Sequence, residues 1–282
     1  MGGGAAHPAH GHGAGGGALE VWLPALALLA GAVGYALAVR RARRRHPAQG
    51  WPPARSISFA AGLVLLAVAL LPPLAPFGHE DFRGHMAQHL LIGMYAPLAL
   101  VLAAPVTLLL RALPPGHGRR LTAVLRSRPA RLLAHPVTAL LLSTGGLVLL
   151  YLTPLYDTAL SRPGWHWPVH AHFLLSGWLF AHVIAGPDPA PGRPGVPARL
   201  WVLGVAIAAH AAIAQLMYGG FWVRVHAPIA EVQGGAEIMY YGGDLAELLL
   251  AAALVTTWRP VRTPRDPHRV RPRSGRDLRE VW

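Results

Sequence analysis

Seven runs of apolar residues punctuate the chain, at 19–39, 56–75, 85–112, 132–153, 168–186, 199–218 and 236–257, each near or above the ~20 residues that carry a helix across about 30 Å of hydrocarbon. The pattern predicts an all-α, polytopic membrane protein, a seven-transmembrane helix bundle over 19–257. The third run is too long for an untilted crossing and holds Pro97 and Pro105, so it should tilt or kink, with neighbouring helices satisfying the freed carbonyls. Residues 1–18 form a Gly/Ala-rich, His-containing segment expected to be flexible, and 258–282 an Arg-rich tail. The Pro/Gly-rich stretch 187–198 is a loop, and no internal repeat is visible.

Charge gives the bundle a direction. All 25 basic residues are Arg, with 6 in 40–55, 6 in 111–131, 2 in 187–199 and 8 in 258–282. The alternate connections hold only Arg83, Arg162 and Arg224, so the positive-inside rule puts the N-terminus outside and the C-terminus in the cytoplasm. No basic residue precedes the first run, as one would in a signal peptide, and Arg40 to Arg45 follow it like a stop-transfer, so the first helix is expected to be retained. The C-terminal arginines, interleaved with prolines, suit anionic lipid headgroups.

Composition narrows the chemistry. With 53% hydrophobic and 13% charged residues, the chain is neither disordered nor collagenous. The formal charge of +13 does not indicate nucleic acid, because the arginines lie between apolar runs rather than on a soluble face. The absence of Lys excludes a retinal Schiff base. The absence of Cys excludes disulfides, thiolate metal sites and CxxC shuttles, so any metal must rest on His, Met or carboxylate. No Walker loop, GxSxG elbow, HExxH or dinucleotide fingerprint is present, and nothing points to an enzyme.

Sorted by depth, most histidines fall on the arginine-poor side. His79, His85 and His89 surround the start of the third run, His166, His170 and His172 that of the fifth. His210 lies in the outer half of the sixth and His226 in the last outer loop. His85 and His89 are four apart, one turn up the same helix face, which is how two imidazoles share a metal; the same spacing also serves interfacial or hydrogen-bonded pairs. His170 and His172 point to nearly opposite faces, so at most one should look into a common site, and His172 is favoured over the alternative that it bonds another helix. His166, between Trp165 and Trp167, fits an aromatic belt.

On the sixth run His210 and Met217 share a face, and Met86 and Met239 lie at similar depth, although methionine is also common packing material. Tyr240, Asp244 and Glu247 form one stripe of the seventh. Either acid can complete a ligand set or orient an imidazole, and the deeper Glu247 suits the orienting role. Imidazole with thioether and carboxylate favours copper, while b-type haem, also held by imidazoles on facing helices, is the alternative.

Several blocks resemble the CtaG-type assembly factors of caa3-type cytochrome c oxidase. HMAQHLLIGMYAPLALVLAAPVTLLLRALP, from His85 to Pro114, is similar to the family's His-Met-x-x-His opening with spaced prolines and an Arg-Ala-Leu-Pro exit. HAHFLLSGWLFAHVIAGPDP, from His170 to Pro189, resembles its His-Phe and Gly-x-Asp-Pro block. His210 through Met217 and Gln233-Gly234-Gly235 with Ile238-Met239 also match, over roughly residues 56–257. Ala181-His182 and Tyr240 depart from it, standing where tryptophans are common. The resemblance implies a seven-span protein of the bacterial cell membrane that acts in maturing the oxidase, with oxidase subunits as partners and copper as the ion supplied or safeguarded. A more distant likeness is to CopD-type copper transporters. His85, His89, His172 and His210 are the matching histidines and the expected ligands, with Met217 and Asp244 as further choices.

Overall fold

The computed structural model describes residues 14–256 apart from 163 and 191, and among these the regular elements are all helical. In chain order they are α1 (Ala14–Arg45), α2 (Pro53–Leu70), α3 (Leu74–Glu80), α4 (Phe82–Leu90), a π-turn (Leu91–Tyr95), α5 (Ala96–Leu102), α6 (Pro105–Ala112), α7 (Pro115–Leu125), α8 (Arg128–Leu133), α9 (Pro136–Tyr151), α10 (Leu155–Ser161), α11 (His166–Ala185), α12 (Val196–Tyr218) and α13 (Ile229–Thr256). Residues 1–13 of the expected N-terminal tail and the whole Arg-rich segment 258–282 lie outside the described residues. The first helix begins at Ala14, inside the segment expected to be a tail.

Proline in the first turn opens many of these helices, where the missing N–H would have no partner anyway; α2, α6, α7, α8, α9 and α12 all start this way. Side chains cap others: Asp81 accepts the backbone N–H of Arg83 at 2.8 Å at the start of α4, and Glu231 accepts that of Phe82 at 3.2 Å.

Six helices are long and apolar enough to span a membrane: α1 from Val21, α2, the continuous run Phe82–Leu102, α11, α12 and α13. The seventh expected crossing is different. α9 is 16 residues long and meets α10 at a 74° bend, and the two pass the span criterion only as a pair. Among the described residues the chain thus has the helices of a multi-pass membrane protein, with six candidate crossings, or seven if the bent pair is one span.

The third run also differs from a single kinked helix over 85–112. It crosses as Phe82–Leu102 and breaks at Ala104, which takes a left-handed φ of 54° before Pro105 starts α6. Around the prolines the helix meets its neighbours at particular atoms. Pro97 has no N–H to give the Gly93 carbonyl four residues back; the helix widens into the π-turn, and that carbonyl abuts Gly177 of α11, where any side chain would collide. Ser58 of α2 donates to the Ala99 carbonyl at 2.6 Å.

Loop 186–195 ties the other end. Asp188 accepts Thr107 N–H at 2.7 Å and Val106 N–H at 3.1 Å, satisfying the free donors that begin α6. Arg193 donates to the carbonyls of His182 and Asp188, both at 3.1 Å, and Arg199 to that of Ile184 at 2.7 Å. Cations thereby meet the negative end of α11.

Two apolar clusters stack along the bundle. One packs Phe82, Met86, Tyr151, Tyr156, Phe173, Met217 and Met239; the other packs Val101, Phe180, Ile184, Leu203, Leu250 and Leu254. Outward-facing leucines and valines of α1, α2, α9 and α13 remain uncovered, as lipid-facing positions do. Helix α1 sits at the edge, held by the Tyr35–Phe59 ring stack and by Trp51, whose indole donates to the Tyr35 hydroxyl at 3.0 Å.

Candidate metal centre

His89, His210 and Glu247 meet at a cavity of about 50 Å³ between the two apolar clusters. His89 comes from the last turn of α4, His210 from the middle of α12 and Glu247 from α13, and all three are buried. Two glycines make the room: a methyl at Gly243 would collide with the His210 ring, and one at Gly93 would lie 3.3 Å from Cε1 of His89. Ser143, Thr144 and Ser176 add hydroxyls to a lining otherwise apolar, and the His89 ring rests on Phe173 with centroids 4.4 Å apart.

The polar atoms here are unusual in having no partners. Both ring nitrogens of His89, Nε2 of His210 and Oε2 of Glu247 are buried without a hydrogen bond. Buried polar groups are normally paired, since each orphan costs about 1–3 kcal/mol. Nδ1 of His210 lies 3.6 Å from Oε1 of Glu247, an ion-pair distance longer than a hydrogen bond. At ~10–15 Å³ for each small occupant, the cavity has room for an ion with a few waters. Among the described residues, no three His, Asp or Glu side chains already stand at metal-holding geometry, so an ion would have to draw the rings inward.

The other expected ligands are elsewhere. His85, although one turn from His89, faces a different space. Its Nε2 pairs with the Tyr151 hydroxyl at 3.2 Å, and the Tyr151 ring packs against both imidazoles, its centroid 6.1 Å from that of His85 and 6.3 Å from that of His89, while the two imidazoles line different cavities. The single pocket expected from their spacing is therefore replaced by two.

His172 is exposed, with Nε2 3.2 Å from the Leu142 carbonyl on α9; of the 170/172 pair it is His170 that turns toward other histidines. Met217 is buried in the apolar cluster with Met86 and Met239, as packing. Asp244 is half-buried and does not line the cavity, whereas Glu247 does.

Asp188 and Tyr151 organise the bundle around the site without an evident signal of that role in the sequence. The Gly-Pro-Asp-Pro sequence signals a turn whose short carboxylate is free to cap a helix, but which helix depends on the break at Ala104. Nothing in sequence marks Tyr151 as a neighbour of both imidazoles.

Residues 33–260 match the family described as cytochrome c oxidase caa3 assembly factor (Caa3_CtaG), and the chain belongs to that family. It is similar to uncharacterized proteins of Mycobacterium bovis and Mycobacterium tuberculosis, 33% identical over 246 residues in each case, covering 80% of this chain and 37% of the relative. It is also similar to one of Mycobacterium leprae, 31% identical over 263 residues, covering 86% of this chain and 39% of the relative. The chain thus spans well under half the length of the curated relatives it matches. No solved structure matches it.

Proposed function

We propose that this protein assists assembly of a caa3-type cytochrome c oxidase in the bacterial plasma membrane by holding a copper ion between His89 and His210, with Glu247 orienting His210, and that it acts by handling the ion rather than by catalysis. The observation that carries the reading is the set of four buried, unpartnered nitrogen and oxygen atoms around one small cavity. Family membership supplies the oxidase as the partner.

The donor chemistry supports the ion. Imidazole suits copper, and without thiolate the chain has no softer ligand to offer. A carboxylate beside Nδ1 favours the tautomer whose Nε2 lone pair faces the metal. The volume of about 50 Å³ favours an ion over a porphyrin, which needs space of the order of small-molecule sites, roughly 300 Å³ or more. The arginine distribution supports an N-terminus outside and a cavity nearer the outer leaflet.

Metal analysis of the purified chain, reconstituted anaerobically with Cu(I), tests this. Bound copper should fall by one equivalent in His89→Ala/His210→Ala, with the helical circular-dichroism signal retained. Unchanged copper in that variant, or a stoichiometric Soret band after haem-replete expression, would overturn it.

A further inference from the structure

A second group of histidines lies at the arginine-poor end of the bundle. His79 of α3, His85 of α4, and His166 and His170 of α11 line one small cavity together with Gln88, and His79, His166, His170 and Gln88 also line an adjoining cavity of about 260 Å³ bounded by Val21, Pro72 and Trp167. Ring centroids are 5.2 Å apart for His79 and His166 and 5.9 Å for His166 and His170. Two imidazoles sharing an ion at about 2.0–2.1 Å per bond hold their centroids roughly 5–6.5 Å apart, so these rings are near enough to share one once they turn, although among the described residues no three stand at metal-holding geometry. The rings meet edge to face, at 86° and 71°, so binding an ion would require them to turn.

Two further features point to a ligand. Nδ1 of His170 is buried with no hydrogen bond. Nε2 of His85 is taken by the Tyr151 hydroxyl, which leaves Nδ1 for the cavity the ring lines. Gln88 is fixed by donating to the Ala69 carbonyl at 2.7 Å, and its side chain fills the space over Gly78, closing the floor.

We propose that His79, His85, His166 and His170 form a second metal-ion site for a borderline or soft cation such as Cu(I), separate from the cavity of His89, His210 and Glu247. Its position at the arginine-poor end makes it a capture station, with the Tyr151 ring in contact with both His85 of this site and His89 of the inner cavity. The site stands on its own geometry and does not require the inner cavity to bind copper.

The test uses the full chain with His7, His10 and His12 replaced by Ala, so that the N-terminal histidines contribute nothing, titrated anaerobically with Cu(I) against a chromophoric chelator. This chain should bind two ions. Adding His79→Ala, His166→Ala and His170→Ala should leave one, whatever the result of His89→Ala/His210→Ala, which reports on the inner cavity alone. Unchanged stoichiometry in the outer triple variant overturns the proposal. A measurement on unsubstituted protein guards against misfolding: diethyl pyrocarbonate labelling of His79, His166 and His170, read by mass spectrometry, should drop at least fivefold when Cu(I) is present. Equal labelling with and without the ion overturns it as well.

Discussion

Oε1 of Glu247 lies 3.6 Å from Nδ1 of His210, and both side chains are almost fully buried within the bundle. Among the described residues, His210 is the cation-forming side chain within ion-pair distance of this carboxylate. Such a carboxylate suits a histidine whose opposite nitrogen binds an ion, because proton donation from Nδ1 to the carboxylate strengthens Nε2 as a ligand.

Replacing this carboxylate by an amide should therefore weaken the ion without removing it. Glu247→Gln keeps the volume and removes the carboxylate, and the expected effect is a ~10–100-fold rise in the Cu(I) dissociation constant, the range for losing such an outer partner. Chelator competition on purified protein measures it; an affinity equal to the wild type would show that Glu247 does not support His210.

The contact between the π-turn and α11 should be intolerant of a single methyl. Gly177→Ala would drive Cβ into the Gly93 carbonyl, which is backbone and cannot swing aside, and overpacking of this kind costs about 1–3 kcal/mol. Gly145 in α9 is the matched control, with nothing within 4 Å of an added Cβ, and Gly145→Ala should stabilise by about 0.4–1 kcal/mol. Thermal unfolding in detergent should move the two midpoints in opposite directions. A Gly177→Ala midpoint at or above the wild type would mean the helices separate freely.

How far these features can be read in the sequence depends on the physics behind each. The spans are legible because hydrocarbon demands about 20 apolar residues, a local property of the chain. The run at 132–153 captures α9 but stops at the bend, because α10, which follows Leu152-Thr153-Pro154, is short and carries Asp157. His89 and His210 were legible as ring-bearing positions at matching depth, and Glu247 as the deeper acid. What spacing cannot carry is the third dimension: i,i+4 aligns His85 with His89, but only the packing of α9 puts Tyr151 against both rings. The 170/172 choice fails for the same reason. Two faces of α11 were known to be opposite, and only the position of α9 and α3 says which meets histidines.

Acid should selectively weaken the start of α4. The hydrogen bond from the Arg83 side chain, first among several contacts, holds the Asp81 carboxyl below its ordinary value of 3.8. A carboxyl with a depressed native value contributes stability fully above the unfolded value and loses it as pH falls through the native one. The gap in unfolding midpoint between wild type and Asp81→Asn should accordingly be constant from pH 7 to about pH 5 and shrink below about pH 4. A gap that persists at pH 3, or widens there, would rule out the ionised carboxylate as the stabilising form.

The orientation of the bundle can be checked directly because the chain has no cysteine to remove. Ser127 lies between α7 and α8 among arginines, and Ser161 ends α10 at the opposite end of the bent pair. If the arginine-rich connections face the cytoplasm, Ser161→Cys in intact cells should react with a membrane-impermeant maleimide, while Ser127→Cys should react only after the membrane is opened. The reverse labelling would invert the protein. It would place the His79–His170 group and the His89–His210 cavity nearer the cytoplasmic leaflet, and copper would then have to reach them from inside the cell.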